Sequence, residues 1–224
     1  MTDPEHSYIE VAHHPIVHDA AWSHEQLLLA AQKAVCRNTG WPIGVVLTKP
    51  ELSPKPVSDG IRAAIRTTTF IDRFDFWSLD KRGYFYFLRR FEEDSDERVK
   101  PGTSLYFDTR IWRVAESLLH CANLYQALDL PAETEIRMQI VHQGLRGRRL
   151  TASDQLRAVT MSGRISHENE SQWVKTVSLG IIEPTIETIV EEVCAELFML
   201  FEFWKPQPDV WTGVLHGFLN SRVS

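Results

Sequence analysis

Residues 75–91, DFWSLDKRGYFYFLRRF, most constrain the fold, because they predict two aromatic strands joined by a polar turn. If Lys81-Arg82-Gly83 is a three-residue loop, Gly83 can adopt the left-handed conformation that such a loop needs. The resulting register pairs Leu79 with Phe85 and Trp77 with Phe87 on one face, and Ser78 with Tyr86 and Phe76 with Leu88 on the other. The first face is wholly apolar, so we predict that it is buried and that Trp77 lies in the core.

The second face of this hairpin is mixed and has two interpretations. Its tyrosines and the nearby basic residues have the composition of a surface that stacks nucleic-acid bases; these residues are Lys81, Arg82, Tyr84, Tyr86, Arg89 and Arg90. A layer that packs on this face explains the same composition, because aromatic side chains are commonly buried between packed layers. We favour the covered face.

Hydrophobic periodicity predicts the other elements. Strands are expected over residues 7–17, 41–48, 61–69, 135–142, 155–161 and 172–179, with an irregular proline-rich connection over residues 49–60. Helices are expected from Ser23 to about residue 38, over residues 105–128, from Pro184 to Trp204 and, as a short helix, after Asp209. This order indicates an α+β fold with largely antiparallel sheet, two packed amphipathic helices and a C-terminal helical pair. Residues 1–224 are predicted to form one domain, with residues 183–222 as a C-terminal helical extension.

Charge and composition exclude several classes of protein. The net charge of −6 argues against a nucleic-acid coat over the whole surface. The longest apolar stretch, residues 197–204, is far shorter than the roughly 20 residues that span a membrane, and the first residues lack the regions of a signal peptide. We therefore expect a cytoplasmic protein without membrane association. No cofactor motif is present and the three cysteines are far apart, so we expect no cofactor and buried free thiols.

The loop HQGLRGRRL, residues 142–150, is the clearest local signal for binding. Its glycines leave backbone amides accessible, and its guanidinium groups suit phosphate or carboxylate. The candidate nucleic-acid or anion-binding residues are Arg146, Arg148, Arg149 and Arg157. The spacing of a P-loop is absent, and we favour a solvated turn for this loop. If it does contact nucleic acid, the contact is expected to be weak and independent of sequence.

The C-terminal stretch LFMLFEFW is apolar on nearly all sides of a helix, so both sides need cover. The cover comes either from the short helix after Asp209 or from another chain. The candidate residues of a partner or self-association interface are Phe198, Phe201, Phe203 and Trp204.

Three histidines near the N-terminus, His13, His14 and His18, could bind a metal ion, with His142 or Asp108 completing the site. Such a site would indicate a metal-dependent hydrolase. No helical metal-binding motif accompanies the histidines, and we favour a solvated or hydrogen-bonding role for them.

Several segments resemble one known group of proteins. The series GWPIGVVL, KPVSDGIRAAI, FDFWSLDKRGYFYFLRRFEED, LYFDTRIWRVAESLL and NLYQAL, within residues 40–149, is similar to the C-terminal module of bacterial proteins assigned to DNA binding that carry an Alba-type, Schlafen-like N-terminal domain. The acidic and lysine signature of the Schlafen-like domain has no counterpart here. The resemblance implies an accessory or sensing module in a bacterial defence or mobile-element setting and assigns no active site.

Three functions follow as hypotheses. The first is a non-enzymatic accessory binding module that works with a protein partner, with nucleic acid as a further contact of the arginine loop. The second is the metal-dependent hydrolase. The third is a small-molecule sensor with its pocket between the sheet and the helix of residues 105–128.

Overall fold

The computed structural model describes residues 7–17, 21–67, 73–154 and 164–221. Its strands are β1 Tyr8–Pro15, β2 Lys55–Val57, β3 Gly60–Thr67, β4 Arg73–Asp80, β5 Phe85–Arg90, β6 Ser104–Tyr106, β7 Glu135–Gln143, β8 Arg149–Thr151 and β9 Glu170–Ser178. Seven of them form one sheet in the order β2-β3-β4-β5-β1-β7-β9, in which each neighbouring pair is antiparallel. Strands β6 and β8 form a separate parallel pair.

The helices are α1 His24–Ala34, α2 Phe107–Ala127, α3 Ile186–Met199 and α4 Pro208–Asn220. Ser23 caps α1 as predicted, because its side chain accepts from the backbone of Gln26 while the Gln26 side chain accepts from the Ser23 backbone. Helix α2 is central and packs against α1, α3 and α4. The predicted α+β class is confirmed. None of these helices combines the length and apolar character that a membrane crossing requires.

The predicted hairpin register is confirmed residue by residue. Gly83 has a φ of +81°, and the Asp80 amide donates to the Tyr84 carbonyl at 3.0 Å. All four predicted side-chain pairs occur between β4 and β5. Trp77 and Phe87 are both 0% exposed and belong to the single large core cluster, which includes residues of all four helices.

The prediction that the mixed face of the hairpin is covered is wrong. Burial alternates along β4 and β5, so one face of the sheet is buried and the other is partly exposed. We call the buried side, which carries Trp77, the inner face, and the opposite side, which carries Phe76 and Tyr86, the outer face. The described helices contribute their buried residues to the core on the inner face, and this leaves the rings of the outer face half-buried.

The strand predicted over residues 41–48 is also wrong. This segment is irregular because side chains, rather than a neighbouring strand, bond its carbonyl groups. Arg89 donates to the carbonyls of Trp41 and Pro42, and the Trp77 indole donates to that of Val45. Gly44 has a φ of +64°, and a Cβ there would lie 2.4 Å from Nε2 of His120.

Other sequence predictions need smaller changes. Residues 49–60 contain the short edge strand β2, in which Pro56 is tolerated because an edge strand needs fewer backbone donors. Helix α1 ends at Ala34, earlier than predicted. The strand predicted over residues 155–161 lies outside the described residues. The three cysteines are buried free thiols, as predicted.

Candidate functional site

A cleft of about 1010 Å³ opens where one end of the sheet meets α2, residues 38–41 and the end of α4. Its walls carry aromatic and arginine side chains, among them Trp41, Arg73, Phe74, Tyr106, Trp112 and Arg113. This is the place between the sheet and α2 where the sensor hypothesis puts a pocket. The size and the mixed lining are those of small-molecule sites.

One wall of the cleft is held by a buried ion pair between Asp75 on β4 and Arg89 on β5. The Arg89 Nε and Nη2 atoms lie 2.9 and 2.6 Å from the two oxygens of Asp75, and both side chains are less than 5% exposed. The Trp41 indole donates to the same carboxylate at 2.8 Å. Arg89 in turn donates to the carbonyls of residues 41 and 42. The wall is therefore fixed before any ligand arrives.

The neighbouring wall is built around Glu92, which follows β5. Its two oxygens accept from Arg113 Nε and Arg110 Nη2, each at 2.6 Å. Although burial raises the pKa of Glu92, the guanidinium groups of Arg113 and Arg110 outweigh it and hold that pKa well below its ordinary value. Arg113 also donates to Glu116 at 2.7 Å, which in turn accepts from Thr39 at 2.7 Å. Glu92 is therefore ionised, and its bond to Arg113 fixes the orientation of that guanidinium at the cleft.

Arg73, at the start of β4, is the exception among the arginines of the cleft. Its guanidinium carbon lies 5.2 Å from the centre of the Trp41 ring. Within the described residues, no carboxylate lies within ion-pair distance of it. Burial, followed by the positive charge of Arg89, lowers the pKa of Arg73 below its ordinary value. The Trp41 ring lies against the guanidinium as a cation–π partner, and N–H groups without a carboxylate partner in the described residues could hold a bidentate anion.

The arginine loop is only partly what the sequence predicts. Arg146 and Arg149 are exposed, so their predicted anion-binding role stays a prediction, and Arg157 lies outside the described residues. Arg148 is 0% exposed, so its assignment as a phosphate-binding residue is wrong. Its Nη2 lies 2.8 and 2.6 Å from the two oxygens of Asp94, and the group also donates to Ser7, Ser104 and Gly144.

The four residues predicted for a C-terminal interface differ in their exposure. Phe198 and Phe201 are 0% exposed, so the prediction that they contact another chain is wrong. Phe107, at the start of α2, and Trp204 supply the cover, with ring centres 6.4 and 5.3 Å from that of Phe198. Phe203 is 81% exposed. Its predicted contact with a partner stays a prediction.

The histidine cluster does not form a metal site among the described residues. His13 and His14 are successive residues of β1 and point to opposite faces of the sheet. His13 is buried against Tyr125, with Nδ1 2.8 Å from the hydroxyl, whereas the His14 ring stacks on Tyr84 at 5.4 Å. His18 lies outside the described residues. Elsewhere in them, no three His, Cys, Asp or Glu side chains are placed to hold a metal ion.

The other two residues proposed for the metal site, Asp108 and His142, lie apart from these histidines. Asp108 lies at the start of α2, where it accepts from the backbone amide of Ser153 at 3.0 Å and from its hydroxyl at 2.6 Å. His142 is 1% exposed, on the inner face of β7. Neither contacts His13 or His14 in any hydrogen bond of the described residues.

Because two histidines are buried, we expect the free energy of unfolding to fall at acidic pH. Burial lowers the pKa of His120 to about 3, and burial together with the charge of Arg110 lowers that of His142 to about 3. The unfolded chain takes up a proton on each near pH 6.5. The unfolded state therefore binds more protons between pH 6.5 and 3, and the free energy of unfolding falls as the pH falls, by up to about 1.4 kcal/mol per pH unit for each histidine.

Urea unfolding at pH 7 and pH 5 tests this prediction with His120→Leu. Neither ring nitrogen of His120 has a hydrogen-bond partner in the described residues, so the variant is expected to lose little stability at pH 7. The free energy of unfolding of His120→Leu should fall less between pH 7 and pH 5 than that of the wild type. The control is His216→Leu at an exposed histidine, which should keep the wild-type pH dependence. Equal pH dependence in His120→Leu and wild type would contradict the assignment.

The sequence analysis missed the cleft residues, although one signal was present. One further step of the predicted hairpin register places Asp75 opposite Arg89 on the inner face, as observed. Opposite charges facing each other on a dry face indicate a buried ion pair. No comparable signal marks Arg73, because its position beside Trp41 depends on the irregular path of residues 41–48.

No protein-family model, no curated protein and no solved structure matches this chain. The resemblance to the C-terminal module of Alba-type, Schlafen-like proteins stays a prediction, and the function is argued from the geometry of the site.

Proposed function

We propose that the chain is a non-enzymatic binding module whose ligand is an organic anion held in the cleft. The observation that carries the proposal is the position of Arg73. Its guanidinium is half-buried in the cleft, against the Trp41 ring, and has no carboxylate partner in the described residues. A phosphate or carboxylate at its N–H groups would make charge-assisted hydrogen bonds where water is partly excluded.

The rest of the cleft favours an organic ligand over a bare inorganic ion. Its volume of about 1010 Å³ far exceeds that of phosphate, and Phe74, Tyr106 and Trp112 offer apolar and aromatic surface. The carboxylates of Asp75 and Glu92 are bonded to arginine. They therefore support recognition and not proton transfer.

A ligand screen by thermal unfolding tests this function. The panel consists of nucleoside mono- and diphosphates, sugar phosphates and dicarboxylates, with inorganic phosphate for comparison. A ligand at a hundred times its Kd stabilises the native state by about 2.7 kcal/mol, and each kcal/mol raises Tm by about 2–4 °C in a chain of this size. Arg73→Gln is expected to weaken a ligand that stabilises the wild type by about tenfold or more, because charged hydrogen bonds contribute about 1.5–3 kcal/mol.

Two glycines of α4 provide a matched pair of steric variants. Gly217 lines the cleft, Gly213 does not, and a Cβ at either position meets no atom within 4 Å. Both replacements by Leu should therefore fold, since Leu also has the higher helix propensity. Gly217→Leu should abolish the ligand-induced shift and Gly213→Leu should preserve it. A panel without effect on the wild type, or an equal shift in both leucine variants, would overturn the proposal.

The accessory role proposed from the sequence adds a protein partner to this module. Phe203 supports it, because a ring that is 81% exposed gains from being covered. The backbone of Glu202 and Phe203 is left-handed, with φ of +57° and +60°, and this turn directs the chain away from α3.

A further inference from the structure

The outer face of the sheet presents aromatic side chains that the described helices leave uncovered. Phe76 on β4 and Tyr86 on β5 are half-buried, with ring centres 6.1 Å apart. Tyr84, beyond the turn, is 42% exposed. Across the next strand, the small residue Ala12 lies beside Tyr86.

Arginines flank these rings on both sides. Arg62 lies on β3, one strand beyond the ring-bearing strands, and Arg137 lies on β7, two strands from β5. Both side chains belong to exposed residues. With strands about 4.8 Å apart, the two guanidinium groups bracket a band roughly 20 Å wide. The face also carries acidic residues, among them Glu10, Asp80 and Glu135, so the positive charge is limited to its arginines and does not extend over the whole face.

We propose that the outer face binds single-stranded nucleic acid, with bases stacked on Phe76 and Tyr86 and phosphates near Arg62 and Arg137. Half-exposed rings on an open sheet offer flat surfaces to unpaired bases, and every base can stack. Bases in a duplex are already stacked on each other, so their flat faces are not available to the rings of the sheet. The surface therefore fits a single strand better than a duplex.

One acidic residue of this face, Glu10, helps to place the nucleic-acid strand. Glu10 accepts from the Tyr86 hydroxyl at 3.0 Å. Its carboxylate repels phosphates from the centre of the face, so the backbone is expected to follow the arginines. The same oxygens can accept from the exocyclic amino group of a stacked base.

Fluorescence anisotropy with labelled single-stranded RNA and DNA of about 12 nucleotides tests the proposal, with the duplex as comparison. Wild type is expected to bind both single strands at about 50 mM salt and to prefer them to the duplex. Tyr86→Leu should weaken binding by about fivefold or more, since stacking on one ring is lost, and Tyr86→Phe should retain it. Arg62→Gln with Arg137→Gln should lower the salt slope by up to about 1.4.

Two controls separate this site from the others. Lys33→Gln with Lys205→Gln removes the same charge from two exposed residues outside the sheet and should leave binding unchanged. Gly217→Leu blocks the cleft, which none of the four proposed contact residues lines, and should also leave it unchanged. The two proposals can therefore fail independently.

Several results would overturn the proposal. These are no binding by wild type at about 50 mM salt, equal affinity for duplex and single strand, or equal binding by Tyr86→Leu and Tyr86→Phe while both remain folded. Light scattering that shows a dimer disrupted by Tyr86→Leu would assign the face to a second copy of the chain instead.

Discussion

Replacing Arg148 by Met is expected to lower the free energy of unfolding by about 3–5 kcal/mol, although this residue lies in a glycine-rich loop. The guanidinium is 0% exposed and pairs with Asp94, whose side chain is 6% exposed. It also donates to Ser7, just before β1, to Ser104 of β6 and to Gly144 of its own loop. The variant leaves the Asp94 carboxylate buried without its counter-ion.

The neighbouring arginines provide matched controls for this measurement. Arg146→Met and Arg149→Met should each change the free energy of unfolding by about 0.5 kcal/mol or less, because both residues are exposed. Urea unfolding followed by circular dichroism measures all three variants. The double variant Arg148→Met with Asp94→Leu should recover part of the loss, because no unpaired charge then remains. Equal stability of the three single variants would show that Arg148 is not a structural residue.

Trp77→Ala is expected to destabilise the protein by a comparable amount, about 3–5 kcal/mol, and to leave it partly unfolded or insoluble. The ring is 0% exposed on the inner face, opposite Phe87, and its indole donates to the Val45 carbonyl. The substitution therefore creates a cavity and leaves the Val45 carbonyl without its side-chain donor. A loss of this size is a large part of the 5–15 kcal/mol that typically stabilises a domain.

A substitution at the adjacent residue, Phe76, tests whether the loss of stability in Trp77→Ala depends on the side chain lying on the inner face. Phe76→Ala removes a ring of similar size from the same strand but from the outer face, where it is only half-buried. It should cost clearly less than Trp77→Ala in the same urea experiment. If the two variants are equally unstable, the outer face is covered in solution, and this would also argue against its use for nucleic acid.

Much of the fold could be predicted because local patterns determine it. The alternation of residues 75–91 and the glycine at position 83 specify a hairpin in one register, since a slip by one residue would expose Trp77 and Phe87. The capping box at Ser23 and the long apolar stripe of α2 likewise depend on residues within a few turns of each other.

The cleft could not be predicted in the same way, because its parts come from distant segments. Trp41 and Asp75 are 34 residues apart, and the Arg89 guanidinium reaches back 47 residues to Pro42. The apolar residues within 41–48 are compatible with a buried strand. Only the packed structure shows that arginine and tryptophan side chains satisfy their carbonyl groups.

The sequence by itself therefore determined the elements and the register in which neighbouring strands pair, because period and turn chemistry act over short distances along the chain. Only the tertiary structure decided which charged residues are buried and which are available. Arg146, Arg148 and Arg149 look alike in the sequence, yet Arg148 alone meets Asp94 and Ser7, which lie 54 and 141 residues away. Burying a charge is favourable only where such partners surround it, and this condition is set by the assembled fold.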